Sequence, residues 1–349
     1  MTKGQSSQRY PKSHIWIKDI QENDKVQGLY LVKNKRLGLT KNGDHFLSLI
    51  LTDRTGDVET RVWDNAEQLS PQFSEGDIIK VEGYASSYRN RIQLTLSTLN
   101  VAKDEIDPSL FMETASGDSS EMMTALRSLL KGIKDPHLIA LNEKFLSDRK
   151  FITEFKKAPA AKNFHHGYVG GLLEHTLSLC QLAEMVADHY AELDRDLLIT
   201  GAFLHDIGKV KEFKYDKHID YTDEGRLLGH LVMGVSMLEE KLSDLKDFPR
   251  NIRLKLNHMI LSHHGEYDFG SPKRPKFLEA FALHMIDDLD AKIKGLGRFM
   301  EKDQQEGSWT DYNRIFERYF LKGRINDDPK EETEPASQKD DGQKVLFSP

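Results

Sequence analysis

Hydrophobic and polar residues alternate through the first third of the chain, from Ile15 to about Lys103. A period of two residues is typical of strands that bury one face. Five runs have this period: VQGLYLVKNKRLGLT, HFLSLILTD, VETRVW, DIIKVEGYASS and RIQLTLSTLNV. Turn-forming stretches such as KNGD and DRTGD separate neighbouring runs. The pattern therefore predicts five strands, with a short helix in DNAEQLSPQFSEGD between the third and the fourth.

This order of elements resembles the OB-fold barrel, in which a helix joins the third strand to the fourth. The resemblance is to OB-folds that bind nucleic acids. It covers residues 14–103, after a flexible N-terminus of residues 1–13. Because a fold does not determine function, a barrel that serves only in assembly is the alternative.

A helical pattern follows, after linker and connecting helices in residues 104–160. We expect one helix to be capped by Ser120, and another to begin with Asp135 before Pro136. A helical domain is predicted over residues 161–323. Its last amphipathic helix, TDYNRIFERYFL, has enough apolar character for a homo-oligomer contact, although packing on its own domain is the simpler explanation. The remaining residues, 324–349, form an acidic tail that we expect to be disordered.

Composition limits the chemistry and the location of the protein. Without an apolar stretch near the roughly 20 residues of a membrane span, or an apolar export segment, we expect no membrane association. Cys180 is the only cysteine, which excludes an intramolecular disulfide and a cysteine-based zinc cluster and favours the cytoplasm. The 14 histidines are therefore the candidates for metal chemistry. The net charge of −7 argues only mildly against nucleic acid, because the acidic tail contributes much of it.

Ionisable residues fall on the apolar faces of several predicted helices. His175 lies in phase with Leu172 and Leu179, and Asp287 lies in phase with Leu283. A single inward histidine is usually a core residue that is satisfied by a backbone carbonyl. Buried carboxylates, however, are normally paired or bound to metal, so several such groups together predict a divalent cation. Nitrogen and oxygen donors suit manganese, cobalt or iron at least as well as zinc.

The order of these residues resembles that of the HD-domain metal-dependent phosphohydrolases. His175, the pair His205 and Asp206, and the later Asp287 have the family's order H, HD, D. An OB domain before an HD domain, with HHGYVGGLLEHT and AFLHDIGK, is similar to the YhaM-type 3′-5′ exoribonucleases over about residues 14–320. The fold class implied is multidomain, with an all-β OB barrel followed by an all-α HD bundle.

This resemblance implies a ligand set for two ions, with manganese the first choice. His175, His205, Asp206 and Asp287 would hold the first ion. Asp206 would bridge to a second ion held by His230 and His263. Three neighbours compete for these roles, since Asp288 and Asp290 stand close to Asp287, and His264 follows His263.

The resemblance also suggests catalytic roles beside Asp206. Lys209 lies one turn beyond Asp206, from where it can reach a phosphate oxygen. Its alternative role is to complement a helix dipole after Gly208. His165 and His166 precede the first HD helix, and either contact the scissile phosphate or leaving oxygen or are ordinary polar loop residues.

Aromatic and basic residues in the predicted barrel favour a single-stranded substrate. Aromatic rings stack on bases while cations follow the phosphate backbone. The candidates lie near the first hairpin and at the last one: Tyr30, Lys33, Lys35, Arg36, Tyr84, Tyr88, Arg89 and Arg91. Scattered surface tyrosines with solvated charges are the alternative, because the barrel region is not net basic.

The main hypothesis is a cytoplasmic, metal-dependent 3′-5′ exoribonuclease that releases nucleoside 5′-monophosphates from single-stranded RNA, with single-stranded DNA as a second substrate. One alternative is an HD phosphohydrolase that acts on a nucleotide or a cyclic nucleotide and uses the barrel for assembly. Another is a non-catalytic nucleic-acid-binding regulator. The complete ligand set argues against this last hypothesis.

Overall fold

Five strands form a closed barrel in the first part of the protein, as the alternation of the sequence predicts. The computed structural model describes residues 14–88, 91–102, 111–115, 117–162, 166–215, 219–303, 305 and 307–323. The strands are β1 (Lys25–Leu39), β2 (His45–Asp53), β3 (Gly56–Val62), β4 (Ile78–Tyr88) and β5 (Arg91–Val101). Their order around the barrel is β1-β2-β3-β5-β4, and β1 pairs with β4 to close it.

The barrel core comes from one face of each strand, because alternate side chains point inward. Val26, Leu49 and Val81 are among its fully buried residues. The short helix α1 (Ala66–Leu69), continued by a 3-10 turn, joins β3 to β4 at the position expected for an OB-fold. The OB-fold prediction is confirmed.

Helices make up most of the rest of the described chain. They are α2 (Ser119–Lys131), α3 (Pro136–Leu146), α4 (Arg149–Phe155), α5 (Gly171–His189), α6 (Arg195–Leu204), α7 (Lys209–Glu212), α8 (Asp223–Ser243), α9 (Arg250–Ser262) and α10 (Leu278–Lys302). One apolar cluster packs α2 to α6 together with α8 to α10. The predicted helical HD domain is confirmed. It also contains one pair of two-residue strands, β6 (Phe213–Lys214) and β7 (Asp220–Tyr221).

Two local predictions about helices need correction. The cap of α2 is Asp118, whose carboxylate accepts from the backbone N–H groups of Ser120 and Glu121. Ser120 therefore lies inside the helix, whereas Asp135 and Pro136 begin α3 as predicted. The expected helix in TDYNRIFERYFL is absent, because this stretch is held by isolated β-bridges such as the pair Asn313 and Arg318.

The C-terminal residues form a unit of their own from Lys302 onwards. Within it, Lys322 Nζ lies 2.9 Å from Asp303 Oδ1, and the backbone of Trp309 pairs with that of Leu321. In the part of the chain that the structure describes, no helix is long and apolar enough to cross a membrane.

Candidate metal centre and nucleic-acid interface

Five separate elements bring histidine and aspartate side chains to one place in the helical domain. His175 lies on α5, and Asp287 lies on α10. His205 and Asp206 occupy the turn that follows α6. Three further histidines come from α8 and from the end of α9: His230, His263 and His264. Each predicted metal ligand is therefore in the cluster, and His264 is an addition to the chosen set.

One group of ligand atoms surrounds one oxygen of Asp206. His205 Nε2 lies 3.2 Å and His175 Nε2 lies 3.7 Å from Asp206 Oδ2. Asp287 Oδ1 lies 3.2 Å from His175 Nε2, and the two Nε2 atoms are 3.3 Å apart. These are the four residues predicted for the first ion.

A second group faces the other oxygen of the same carboxylate. His263 Nε2 lies 3.5 Å and His230 Nε2 lies 3.6 Å from Asp206 Oδ1. His264 Nε2 is 3.2 Å from His230 Nε2. The sequence left His263 and His264 as alternatives because adjacent helical residues point in different directions. Both point into this group because they follow α9, where the helical phase no longer applies.

The five imidazoles are all oriented by a hydrogen bond at Nδ1. Each Nδ1 lies 2.8–3.0 Å from an oxygen that can only accept: Asp290 for His175, the Ala202 carbonyl for His205, Glu212 for His230, the Ile260 carbonyl for His263 and the Phe269 carbonyl for His264. The proton therefore sits on Nδ1 in the neutral rings, and Nε2 presents a lone pair to the centre.

This arrangement fits divalent cations. Nε2 atoms face one another between His175 and His205 and between His230 and His264, at 3.3 and 3.2 Å. Asp206 Oδ1 is buried and has no hydrogen-bond donor. Two atoms that bind the same ion at about 2.0–2.2 Å lie about 3 to 3.5 Å apart, close to the distances within both groups. A cation would thus satisfy Asp206 Oδ1 and separate the facing nitrogens.

Electrostatics supports the same interpretation. Burial alone would lower the pKa of His175, yet the carboxylates of Asp287 and Asp290 raise it to about 9. A bound cation would take the place of that proton, since metal ligands must be deprotonated. Burial and the neighbouring rings of His263 and His230 lower the pKa of His264 to about 3, so this ring is a neutral donor.

Asp206 and Lys209 form a buried ion pair at the centre. Lys209 Nζ lies 2.6 Å from Asp206 Oδ2. Although burial opposes ionisation, Lys209 and His205 hold the pKa of Asp206 well below its usual range. Gly208 lets α8 approach this turn, because a Cβ there would lie 2.0 Å from the carbonyl oxygen of His230. The sequence motif HDIGK is thus one structural unit.

His166 lies behind His175 in the buried part of the site. Its Nε2 lies 3.3 Å from Asp290 Oδ2, the oxygen that His175 Nδ1 also contacts. Its Nδ1 lies 3.0 Å from the Tyr168 hydroxyl. His166 therefore supports the carboxylate behind His175, and its catalytic contact with the phosphate stays a prediction. His165 lies outside the described residues.

The neighbours of Asp287 have different surroundings. Asp288 is exposed and pairs with Lys292 at 2.7 Å. Asp290 accepts hydrogen bonds from His175 Nδ1 and from the Ser178 hydroxyl at 2.8 and 2.6 Å. Of the three carboxylates, Asp287 is thus the one on the Nε2 side of His175, where the other ligand atoms converge.

Comparison with known proteins identifies the family. Residues 172–292 match the HD domain family, and residues 31–102 match a family of OB-fold nucleic acid binding domains. The 3′-5′ exoribonuclease YhaM of Bacillus velezensis is 38% identical over 295 residues, which cover 84% of this chain and 92% of that protein. The protein of the same name from Bacillus subtilis has the same identity and coverage. The chain belongs to the YhaM family.

The barrel of this YhaM family member does not present all of the predicted aromatic and basic residues to solvent. Tyr30 is fully buried, and its hydroxyl donates to the Ile15 carbonyl, so its ring cannot stack on a base. Lys35 Nζ donates to the backbone carbonyls of Ser70 and Phe73 and lies over the Phe73 ring, so it is not a free phosphate contact. Both assignments are corrected.

Other predicted residues do lie on the outer surface. Tyr84 and Tyr88 are each 57% exposed, and Arg36 and Arg91 are exposed. Lys33 is exposed too but pairs with Asp57. Arg89 lies outside the described residues.

One row of paired positions crosses the outer surface of the barrel. The row consists of Arg36, Ser48, Arg61, Thr95 and Tyr84. Beside it, the rings of Phe46 and Trp63 are 5.2 Å apart, and Trp63 is 47% exposed. A groove of about 630 Å³ is lined by Arg36, Phe46 and Arg61, among others. The sequence analysis missed Phe46, Arg61 and Trp63. The alternation could have identified them, because they are the direct neighbours of the inward-facing Leu47 and Val62 and therefore face outward.

Proposed function

We propose that this protein is a metal-dependent 3′-5′ exoribonuclease that hydrolyses single-stranded RNA to nucleoside 5′-monophosphates. The observation that carries the proposal is the convergence of two groups of imidazole Nε2 atoms on the two oxygens of Asp206, of which the buried Oδ1 has no hydrogen-bond donor. Two ions suit these two groups, and manganese suits the mixed nitrogen and oxygen donors. The buried Cys180 thiol is compatible with the reducing cytoplasm.

The residues of the site have separate roles in this proposal. Divalent cations, when bound, increase the acidity of water and neutralise charge on phosphate oxygens. Asp206 holds the two ligand groups at a fixed separation, and Asp290 and Glu212 orient two of the imidazoles. Lys209 Nζ supplies one positive charge beside Asp206, where charge develops on the phosphate. The oxygen of water bonds to phosphorus, the phosphorus bond to the 3′ oxygen breaks, and that oxygen takes a proton.

The surface of the barrel is evidence for a polymeric substrate rather than a free nucleotide. Its groove is lined by the cations Arg36 and Arg61 and by the ring of Phe46, and the Trp63 ring lies 5.2 Å from that of Phe46. Base stacking and contacts with the phosphate backbone tolerate any sequence. The same surface would accept single-stranded DNA, so we include it as a second substrate.

The test follows the length of a 5′-labelled single-stranded RNA with added manganese. We expect a ladder that shortens from the 3′ end, and free nucleoside 5′-monophosphates as the product. Asp206→Ala removes the carboxylate between both ligand groups and should abolish the ladder. Asp288→Ala removes an exposed carboxylate that pairs with Lys292 and should leave it unchanged. An intact RNA beside hydrolysis of a free or cyclic nucleotide would contradict the proposal.

A further inference from the structure

The metal centre opens to solvent on one side. His175, His205 and His263 are almost fully buried. The side chains of His230 and Asp287 keep 14% and 15% of their exposure, and His264 is partly exposed as well. A substrate must therefore enter past these partly exposed residues. The segments that follow or precede them border the entrance.

A well-anchored loop, residues 265–271, follows His264 at this entrance. Its Phe269 carbonyl accepts the hydrogen bond from His264 Nδ1 at 3.0 Å. Gly265 has φ +79°, and a Cβ there would lie 2.1 Å from the ring of His284. The hydroxyl of Ser271 donates to the carbonyls of Leu261 and Lys273. The loop is thus fixed to the domain and, through Phe269, to a candidate metal ligand.

The loop presents two exposed aromatic rings despite these anchors. Tyr267 is 58% exposed, and Phe269 is 63% exposed. Arg274 lies over the Tyr267 ring at 5.1 Å and pairs with Glu266 at 2.7 Å. Two exposed rings close together in sequence and beside charged residues form a candidate binding surface.

Positive charge accompanies these rings. Lys273, Arg274 and Lys276 are exposed on the chain that continues from the loop. The backbone N–H of Lys276 donates to His258 Nε2 on α9 at 3.1 Å, and after burial the charges of Lys276 and Lys273 lower the pKa of His258, so both lysines lie near this helix. Aromatic rings beside cations form the usual surface for a single strand, whereas an apolar protein partner would have no need of the cations.

We propose that Tyr267 and Phe269 form a stacking site for the base of the 3′-terminal nucleotide. The inference rests on the proposed function and adds a second contact with the strand, separate from that of the barrel. Stacking on these rings would hold the terminal nucleotide at the entrance beside His230 and His264. Because every base has a π-face, the site would select for the presence of a base and not for its identity.

The experiment compares two RNA oligonucleotides that differ only at the 3′-terminal residue, which carries a base in one and is abasic in the other. We expect the kcat/KM of the wild-type protein to be about 5-fold to 150-fold higher for the RNA with a 3′-terminal base than for the RNA with an abasic 3′ end. The variants Tyr267→Ala and Phe269→Ala should lose most of this preference, by slowing on the base-bearing end alone. Phe269→Tyr should retain it. Phe281→Ala, which removes an exposed ring on α10, is the matched control.

A second measurement reports stacking without catalysis. The fluorescence of 2-aminopurine at the 3′ end of the RNA should be quenched by the wild type without added manganese, and less by the two alanine variants. Unchanged quenching together with an unchanged preference would overturn the proposal, as would a preference that depends on the penultimate base. If wild-type protein shortens neither RNA, the proposed function fails, while the quenching still tests the stacking site.

Discussion

Asp290 contacts His175 on the side opposite to Asp287 and orients its imidazole. Its Oδ2 contacts His175 Nδ1 at 2.8 Å and His166 Nε2 at 3.3 Å, on the far side of His175 from Asp287. A carboxylate at Nδ1 fixes the tautomer and raises the basicity of the ligand nitrogen. His166 has φ +47°, an uncommon conformation for a residue other than glycine, and is held there by its contacts. These two residues are therefore positioning residues.

We expect Asp290→Ala to weaken metal binding by about 10-fold to 100-fold, the usual effect of losing such a partner. Asp290→Asn keeps an acceptor for His175 Nδ1 and should restore most of the affinity, which a simple packing defect would not allow. Competition with a chromophoric chelator measures the affinity. Asp288→Asn is the control because its carboxylate is exposed. Equal losses in the alanine and asparagine variants would contradict this role.

The sequence predicted individual residues well where helical phase decides the direction of a side chain. His175 and Asp287 point inward as their positions beside Leu179 and Leu283 require. The prediction that Tyr30 stacks on a base was wrong. Its phase with Val26 and Val32 on β1 already indicated that its side chain lies in the core. His264 was given only as the alternative to His263, because its direction depends on where α9 ends, which local patterns do not determine.

At the scale of the elements, the β-strands of the barrel hold the residues that we expect to contact single-stranded RNA. The outward row that contains Arg61 and Tyr84 exists only because β3 pairs in parallel with β5. This pairing joins residues that are far apart in the sequence, so a pattern search along the chain could predict the strands but not the row. The rings of Phe46 and Trp63 lie beside the row on β2 and just after β3.

We expect Trp63→Ala to weaken the binding of a long single-stranded RNA by about 1–3 kcal/mol, the usual contribution of one stacked base. Hydrolysis of the shortest substrates, which do not reach the barrel, should stay unchanged. Fluorescence anisotropy with labelled RNA measures the affinity at a fixed salt concentration. Trp309→Ala, which removes a half-exposed ring in the C-terminal unit, is the control. An equal loss in both variants would exclude a specific role for Trp63.

The predictions of helices were correct less often than the predictions of strands. Those with one strong apolar face, such as α5 and α10, were recognised from their period. The stretch TDYNRIFERYFL has the same amphipathic spacing but forms β-bridges. Pairs within the stretch, such as Tyr312 with Tyr319 and Asn313 with Arg318, take the place of helical contacts, so the tertiary structure overrides the helical pattern there.

At the scale of the whole molecule, the candidate ligands come from α5, α8 and α10 and from the segments that follow α6 and α9. Without cations, Asp206 Oδ1 stays buried without a donor, and neighbouring Nε2 atoms lie 3.2–3.3 Å apart. Such contacts oppose the packing of the helices that carry them. Metal binding should therefore be coupled to the stability of the helical domain.

Removal of divalent cations with a chelator should lower the Tm of the helical domain. Cations at 100 times their Kd stabilise a folded protein by about 2.7 kcal/mol, which corresponds to roughly 5 to 10 °C for a domain of this size. Circular dichroism at a helical wavelength, with and without added manganese, measures the shift. In Asp287→Ala the first group loses a ligand, so manganese should raise Tm less. If manganese leaves the Tm of the wild type unchanged, the cluster does not bind manganese. Protonated histidines would then stabilise the buried carboxylates, as the raised pKa of His175 permits.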